Sequence, residues 1–228
     1  MIGVILLTYD RMKYARTTLQ SVARHLRSPE PVWLHVADDG SSQEYRDELL
    51  SLAHDLYGDN VSVSNSERRG YGASYNAATQ MVHHLADLVL PLEDDWELVR
   101  DLNVAPIAEV LRSGLFGCVR LGYVGFTQEL RGKFVVGGSL MWLALDPLSP
   151  EPHVWTGGPR LETVEWEREV GPWPEDLAAG STEFEVAHRP AARAGVAWPV
   201  DLVLPRGDAF VHIGSVQAGS LPEVALAG

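Results

Sequence analysis

The chain has 228 residues, 46% of them hydrophobic, and a formal net charge of −13 at pH 7. This length is enough for one domain with a full core, and the acidic balance argues against broad, nonspecific binding to nucleic acid or anionic membranes. The single cysteine, Cys118, excludes an intrachain disulfide and is typical of a reducing compartment. No apolar run approaches the ~20 residues that span a bilayer. No signal segment precedes the first apolar run, so we expect a soluble, cytoplasmic protein.

The first hundred residues predict alternating strands and helices. An apolar run at residues 3–8 is typical of a buried parallel strand, and residues 15–26 follow with apolar positions at helical spacing. A second strand at residues 32–37 precedes a helix with an apolar face at residues 49–56. The pattern predicts an α/β fold with right-handed crossovers.

The alternation then continues to a fourth strand. Residues 61–63 mark a short third strand, a helix is expected to run to residue 85, and Leu88–Leu92 form an apolar run of strand length. Between the third strand and the helix lies a loop with Arg68 and Arg69 beside two glycines. Arginines and glycines at a helix start predict an anion-binding loop.

Polar clusters follow three of these strands, at Thr8–Arg11, Asp38–Ser41 and Glu93–Asp95. Because ligands collect beyond the carboxyl ends of parallel strands, we expect the clusters to meet at a nucleotide site on one rim of the sheet. The three acids at 93–95 repel one another unless a cation lies among them. Mg²⁺ or Mn²⁺ would leave coordination positions for substrate phosphates. For the triplet alone, a solvated acidic loop is the alternative.

The second predicted helix has its own start signal. Ser41 with Glu44 three residues later matches a capping box, and Gly40 permits the tight exit from the strand. If Ser41 is the cap, Asp38 and Asp39 are free for other partners.

The pattern is less regular after Leu98. We expect a helix at residues 104–111, a strand at 116–121 and a hairpin or bulge within residues 133–145. Residues 147–174 contain six prolines, which predicts a long functional loop or lid. Three tryptophans in this segment are available for stacking. They are Trp155, Trp166 and Trp173.

The end of the chain predicts three further segments. A helix-like segment covers residues 182–194, a late strand covers 210–213, and the tail from Gln217 is expected to be loosely ordered. We predict one domain over residues 1–228. Its nucleotide-sugar half is 1–100, its acceptor and catalytic half is 101–215, and its tail is 216–228.

Four segments occur together, in order, with a familiar spacing: T-Y-D-R at Thr8–Arg11, D-D-G-S at Asp38–Ser41, R-R-G-Y-G-A-S-Y-N at Arg68–Asn76 and E-D-D at Glu93–Asp95. This set resembles the inverting glycosyltransferases of family 2. The resemblance implies the GT-A fold, which has a Rossmann-like, mostly parallel central sheet flanked by helices and a more irregular acceptor-side half. It also implies metal-dependent transfer of a sugar from a nucleoside-diphosphate sugar, here a UDP-sugar, to an acceptor hydroxyl.

The resemblance also implies roles for individual residues. Asp38 and Asp39 resemble the acids that hold the base and ribose, and Asp95 resembles the direct Mn²⁺ or Mg²⁺ ligand of the D-x-D motif. The first acid of the motif is Glu rather than Asp in this chain. The residues implied to contact the nucleotide sugar are Thr8, Tyr9, Arg11, Asp38, Asp39, Arg68, Arg69, Gly72, Asn76, Glu93 and Asp94.

The match is fainter in the second half. The family's G-E-D-x-E-L-x-x-R helix resembles Gly180–Arg189, and aligning its last acid and arginine implies Glu183 as the catalytic base. Glu175 and Asp176 form a competing acid pair. His212 falls where many relatives place a histidine near the metal or diphosphate, and a structural histidine is the alternative.

Other functions stay open on the sequence. A GT-A-like nucleotidyltransferase is disfavoured because the loop at Thr8–Arg11 contains no glycine. A non-catalytic sugar-nucleotide-binding module is a further alternative. The acceptor could be a small molecule, a glycan, a protein or a hydroxymethylated base of viral DNA. The last needs a basic, aromatic groove, for which Arg131–Lys133 is a hint.

Overall fold

The computed structural model describes residues 1–65, 67–122, 131–149, 154–200 and 209–214. The predicted tail, 216–228, and residues 150–153 of the predicted loop lie outside these ranges. None of the helices in the described ranges combines the length and hydropathy needed to cross a bilayer.

The first half alternates strands and helices, as its periodicity predicts. Its elements are β1 Ile2–Thr8, α1 Met12–His25, β2 Leu26–Arg27, β3 Val32–Asp38, α2 Gln43–Tyr57, β4 Val61–Asn65, α3 Tyr71–Val82 and β5 Leu88–Glu93.

The second half contains more short strands than helices. Its elements are β6 Trp96–Leu98, β7 Leu102–Asn103, α4 Ala105–Arg112, β8 Cys118–Arg120, β9 Gly132–Gly137, β10 Leu140–Leu145, β11 Arg160–Thr163, α5 Val164–Val170, α6 Ala179–Ala187, α7 Pro190–Arg193, β12 Val196–Pro199 and β13 Phe210–His212.

A nine-stranded sheet runs through the molecule in the order β4-β3-β1-β5-β11-β8-β12-β10-β9. Strands β4, β3, β1 and β5 are parallel, and β12 is parallel to β8. Each antiparallel pairing of this sheet involves β10 or β11, which belong to the second half. The predicted α/β class with a large, mostly parallel central sheet is confirmed.

Both faces of the parallel half are buried. Successive strand residues point to opposite faces, so Val4 and Leu6 pack in the core under α1 and α2, whereas Ile5 and Leu7 pack in the core on the side of α3. Burial on both faces explains why β1 is a continuous apolar run instead of an alternating one.

The segment 147–174 is not one long loop. Strand β11 lies inside the sheet, antiparallel to both β5 and β8, and α5 follows it directly. The three tryptophans of the segment, Trp155, Trp166 and Trp173, are 1%, 7% and 3% exposed. They pack in the core and are not available to stack on a ligand. The lid prediction is therefore wrong for residues 154–174. Among the described prolines of this segment, Pro159 directly precedes β11, and Pro172 and Pro174 follow α5.

Candidate active site

The three polar clusters meet at one rim of the sheet, as the parallel order predicts. Thr8 lies beside Asp38 in the β1–β3 register, and Leu7 lies beside Glu93 in the β1–β5 register. The Thr8 hydroxyl donates to Oδ2 of Asp94 over 2.8 Å, and the backbone N–H of Asp39 donates to the Thr8 carbonyl over 3.1 Å. Hydrogen bonds thereby join the ends of three strands.

The acids of the triplet have different partners, and two of them, Asp94 and Asp95, pair with Arg11. Asp94 is fully buried and pairs with the Arg11 guanidinium, whose Nη1 also donates to Oδ2 of Asp95 over 2.9 Å. Burial raises the pKa of Asp94 to about 6, although the charge of Arg11 and the Thr8 hydrogen bond lower it. The repulsion among these acids is thus relieved in part by a guanidinium, and it does not by itself require a metal ion.

Asp95 is the acid of the triplet with coordination capacity left. Its Oδ2 lies 3.4 Å from Nε2 of His212, while its buried Oδ1 has no hydrogen-bond partner among the described residues. Pairing of β13 with β6 brings His212 here, and Ile213 donates its N–H to the Asp95 carbonyl over 2.8 Å. Burial opposes ionisation of Asp95, but His212 and Arg11 outweigh it and lower the pKa.

These residues fit a divalent cation in part. The described residues hold no cluster of three or more His, Cys, Asp or Glu arranged for a metal ion. Asp95 and His212 would supply one oxygen and one nitrogen, and the partnerless Oδ1 is an acceptor that a cation could occupy. Two protein ligands suit an ion such as Mn²⁺ or Mg²⁺ that takes its other ligands from phosphate and water.

Asp38 and Asp39 are not free, contrary to the expectation from the sequence. Asp38 accepts from Nε of Arg46 over 2.7 Å and from the backbone N–H of Ser41 over 3.1 Å. The cap of α2 is Ser42, whose hydroxyl accepts from the N–H of Tyr45. The predicted cap was one residue too early, because Ser41 uses its hydroxyl to accept from the N–H of Asp10.

Asp39 organises the arginine loop. Its Oδ1 accepts from the N–H groups of Arg69 and Gly70 over 2.8 and 3.0 Å, and from the Ser74 hydroxyl over 2.9 Å. The Arg68 guanidinium then lies over the ring of Tyr9, 4.0 Å from its centroid. This arrangement keeps the predicted anion-binding loop at the rim.

Asn76 and Gly72, which were predicted to contact the nucleotide, instead contact residues 173–175. Nδ2 of Asn76 donates to the carbonyl of Trp173 over 2.9 Å and to Oε1 of Glu175 over 3.0 Å, and its Oδ1 accepts from the N–H of Trp173 over 2.8 Å. Gly72 lies so close to the Pro174 carbonyl that any side chain would overlap it. Both residues hold α3 against the segment 173–175.

Glu183 faces the rim from α6. A methyl group added at Gly157 would overlap Oε1 of Glu183, so the carboxylate lies directly on the backbone there. Burial raises the pKa of Glu183, while Arg160 and His212 lower it and Asp95 raises it further. The next residue, Gly158, packs against Trp96, and Trp96 contacts His212, so this series of contacts connects the carboxylate with the histidine beside Asp95.

The competing acids are placed differently. Glu175 and Asp176 are exposed, and Glu175 is bonded to Asn76 and lies 3.4 Å from Nη2 of Arg69. Glu93 instead shares the environment of Glu183, because burial and the charges of Glu183 and Asp95 raise its pKa. Of the three candidate acids, Glu183 is the one whose pKa is affected by the charges of Asp95 and His212, so it stays the predicted base.

Residues 3–135 match the family model described as Glycosyl transferase family 2. The chain belongs to this family. The match covers more than half of the chain and confirms both the resemblance and the predicted class of enzyme, a glycosyltransferase. No curated protein matches the chain.

Solved structures similar to this family 2 domain are GT-A glycosyltransferases. TarS 1–349 of S. aureus, solved with UDP, has a TM-score of 0.67 at 16% identity, over 88% of this chain and 58% of that one. GalNAc-T7 with UDP, GalNAc and Mn²⁺ has a TM-score of 0.62 at 16% identity, over 87% of this chain and 42% of that one. The mannosyltransferase PcManGT of Pyrobaculum calidifontis, with GDP-Man and Mn²⁺, has a TM-score of 0.52 at 16% identity, over 91% of this chain and 58% of that one. These likenesses confirm the fold, and the chain spans about half the length of such structures.

The family 2 domain also contains site-region residues that the sequence did not single out. Arg46 holds Asp38, and Gly157 and Arg160 lie beside Glu183. The pair Gly157–Gly158 is a sequence signal for close backbone approach. No pattern in the sequence marked Arg46 or Arg160.

Proposed function

We propose that this domain transfers a sugar from a UDP-sugar to an acceptor hydroxyl, with inversion at the anomeric carbon and dependence on Mn²⁺ or Mg²⁺. The observation that carries the proposal is the buried, partnerless Oδ1 of Asp95 beside His212, with the Glu183 carboxylate facing the same rim. In support, TarS was solved with UDP-GlcNAc and GalNAc-T7 with UDP and Mn²⁺.

The donor would lie across the carboxyl ends of β1, β3 and β5. Arg68 stacked on Tyr9 offers a flat, cationic wall for the nucleotide, and Asp39 keeps that loop in place. Thr8, Arg11, Asp38, Arg69, Glu93 and Asp94 belong to the same rim. We leave Gly72 and Asn76 out of this set, since their contacts are with residues 173–175. In this proposal residues 1–100 bind the donor and residues 101–215 bind the acceptor.

Two groups of residues at the rim would carry out the transfer. Asp95 and His212 would hold the metal ion, which neutralises charge on the departing diphosphate. Arg11 keeps Oδ2 of Asp95 oriented through its 2.9 Å hydrogen bond. Glu183 takes the proton of the acceptor hydroxyl while that oxygen bonds to the anomeric carbon. The carbon–oxygen bond to the diphosphate breaks in the same displacement, and its electron pair leaves with the diphosphate.

The decisive experiment is calorimetric titration of the protein with UDP and UDP-sugars, with and without Mn²⁺. We expect binding that depends on Mn²⁺ in the wild type and the loss of that dependence in Asp95→Ala, because Asp95 is the acid with a free coordinating oxygen. At a ligand concentration 100 times Kd, binding stabilises a protein by about 2.7 kcal/mol, so a thermal shift provides a second readout.

The matched control is Asp101→Ala. Asp101 accepts hydrogen bonds from His25 and Arg27 on the surface, away from the rim, and its loss should leave nucleotide binding intact. Equal Mn²⁺-dependent affinity in folded Asp95→Ala and in wild type would overturn the proposed metal site. Absence of UDP binding in the wild type would overturn the proposed donor.

A further inference from the structure

Arg160 is a fully buried cation next to the acceptor side of the rim. It begins β11 and is 1% exposed. Its Nη1 donates to the Gly157 carbonyl over 2.9 Å and to the Gly158 carbonyl over 3.4 Å, and its Nη2 donates to the Tyr75 hydroxyl over 2.8 Å. One side chain therefore fixes two consecutive peptide groups of the segment before β11.

The surroundings hold the guanidinium in one orientation. Glu162, which is 0% exposed, accepts from Nε over 2.7 Å and from Nη2 over 3.3 Å. The rings of Trp155 and Trp173 lie 4.8 and 5.7 Å from the guanidinium carbon. A paired, hydrogen-bonded and stacked arginine is costly to move, and its planar fork cannot be reproduced by lysine.

The two fixed peptides form a wall of the site. Gly157 lies directly under the carboxylate of Glu183, with no room for a side chain between them. Gly158 packs on the other side, where an added methyl would lie 3.2 Å from the ring of Trp96, and Trp96 contacts His212 with ring centroids 5.0 Å apart. The segment 157–158 thus separates the Glu183 carboxylate from Trp96, and its position limits where that carboxylate can lie.

We propose that Arg160 is a positioning residue for transfer, which holds the carbonyls of Gly157 and Gly158 and so fixes the backbone against which the Glu183 carboxylate lies. The inference rests on the proposed function, because it assigns Arg160 an effect through the proposed base. In this proposal Arg160 acts through Glu183 and is assigned no contact with donor or acceptor. Its loss should change the rate of the chemical step and leave donor binding as it was.

The test measures UDP release from a UDP-sugar and Mn²⁺ with water as acceptor, together with calorimetric donor affinity and melting temperature. Arg160→Lys keeps the charge but not the fork to both carbonyls. A misplaced catalytic group costs about 10²-fold in rate, so we expect kcat to fall by about that factor with KM for the donor unchanged. In a Glu183→Gln background, Arg160→Lys should have little further effect, because the two residues act as one unit.

A second variant covers the case in which Arg160→Lys does not fold. Gly157→Ala adds one methyl group against Oε1 of Glu183, at a position whose backbone is not in the left-handed region. We expect the same loss of kcat with donor affinity preserved. Glu185→Gln is the control, since Glu185 lies on the same helix and its carboxylate pairs with Arg189.

Unchanged kcat in Arg160→Lys or Gly157→Ala would overturn the inference about Arg160 and leave the proposed function intact. A full multiplicative loss in the Glu183→Gln background would also overturn it, since Arg160 would then act independently of Glu183. If the wild type neither binds UDP-sugars nor releases UDP, the proposed function fails, and the inference fails with it.

Discussion

Asp94 and Asp95 are adjacent acids with opposite environments. Asp94 is fully buried, and its two oxygens contact Thr8 and Arg11. One oxygen of Asp95 contacts both Arg11 and His212, and the other has no hydrogen-bond partner in the described part of the chain. A motif of consecutive acids can therefore combine a structural ion pair with a ligand site. Both acids lie in the turn between β5 and β6 and pair with Arg11, so the difference between them comes from the Thr8 contact of Asp94 and the His212 contact of Asp95.

Glu183→Gln tests the proposed base at the residue scale. The substitution keeps size and removes the basic oxygen, and general-base catalysis contributes typically ~10²–10⁴-fold, so transfer or UDP release should fall by about that much. Donor affinity should remain near wild type. Steady-state kinetics with calorimetry separates the two quantities.

Glu175→Gln and Asp176→Asn are the matched controls for this prediction. Both residues are exposed, and their loss should leave kcat close to wild type. A large drop in either control, with Glu183→Gln still active, would mean that the base lies on the segment before α6 and that the alignment of the second half is wrong.

At the scale of elements, helix α3 and the segment 173–175 form one packed unit. Trp173 and Asn76 are 3% and 8% exposed and share two hydrogen bonds, and the Trp173 ring stacks on Tyr75 with centroids 3.9 Å apart. The helix that follows the arginine loop is thereby tied to the chain that leads into α6. A contact of this kind connects the proposed donor half with the proposed acceptor half.

Asn76→Ala should weaken this unit. It leaves the buried N–H and C=O of Trp173 without partners, and each such loss costs about 1–3 kcal/mol, so the free energy of unfolding should fall by at least that amount. Urea unfolding measures the change, with Gln80→Ala, exposed on the same helix, as control. Unchanged stability with weakened donor binding would instead favour the nucleotide contact implied by the family resemblance.

At the scale of the whole molecule, stability should depend on pH through a buried histidine far from the acidic triplet. His35 on β3 is 0% exposed and contacts the hydroxyls of Ser62 and Ser64 on β4 over 2.8 and 3.1 Å. Burial lowers its pKa from 6.5 to about 4. The unfolded chain binds the proton more readily between these values, so folding is opposed as the pH falls through this window.

We expect the wild type to lose about 2–3 kcal/mol of stability through this group between neutral pH and pH 4. His35→Gln keeps an amide that can hydrogen-bond both serines and cannot be protonated, so its stability should depend less on pH in this window. Chemical unfolding across the pH range measures the difference. The control is His84→Gln, at an exposed position, and parallel pH profiles for wild type and His35→Gln would contradict the prediction.

Local patterns were enough to determine the first half. The apolar runs of β1 and β5, the helical spacing after residue 12 and the polar residues at the strand ends depend on periodicity and on the parallel order of strands. Those features predicted the rim, and the resemblance to the family came from the four ordered motifs. Capping was less reliable, since Ser41 and Ser42 are both suitable caps and only the Asp10 contact separates them.

Only the tertiary structure decided the rest, because it depends on contacts between residues far apart in the chain. The four residues of β11 are too short a signal to reveal a strand inside the sheet, and its position follows from pairing with β5 and β8. Asn76 gained a structural role because Trp173, 97 positions away, packs on α3. Arg160 and Glu183 are brought together with the acids of β5 by the same long-range packing. The sequence predicted the residue types of the site, and the fold determined which atoms are bonded and which remain free.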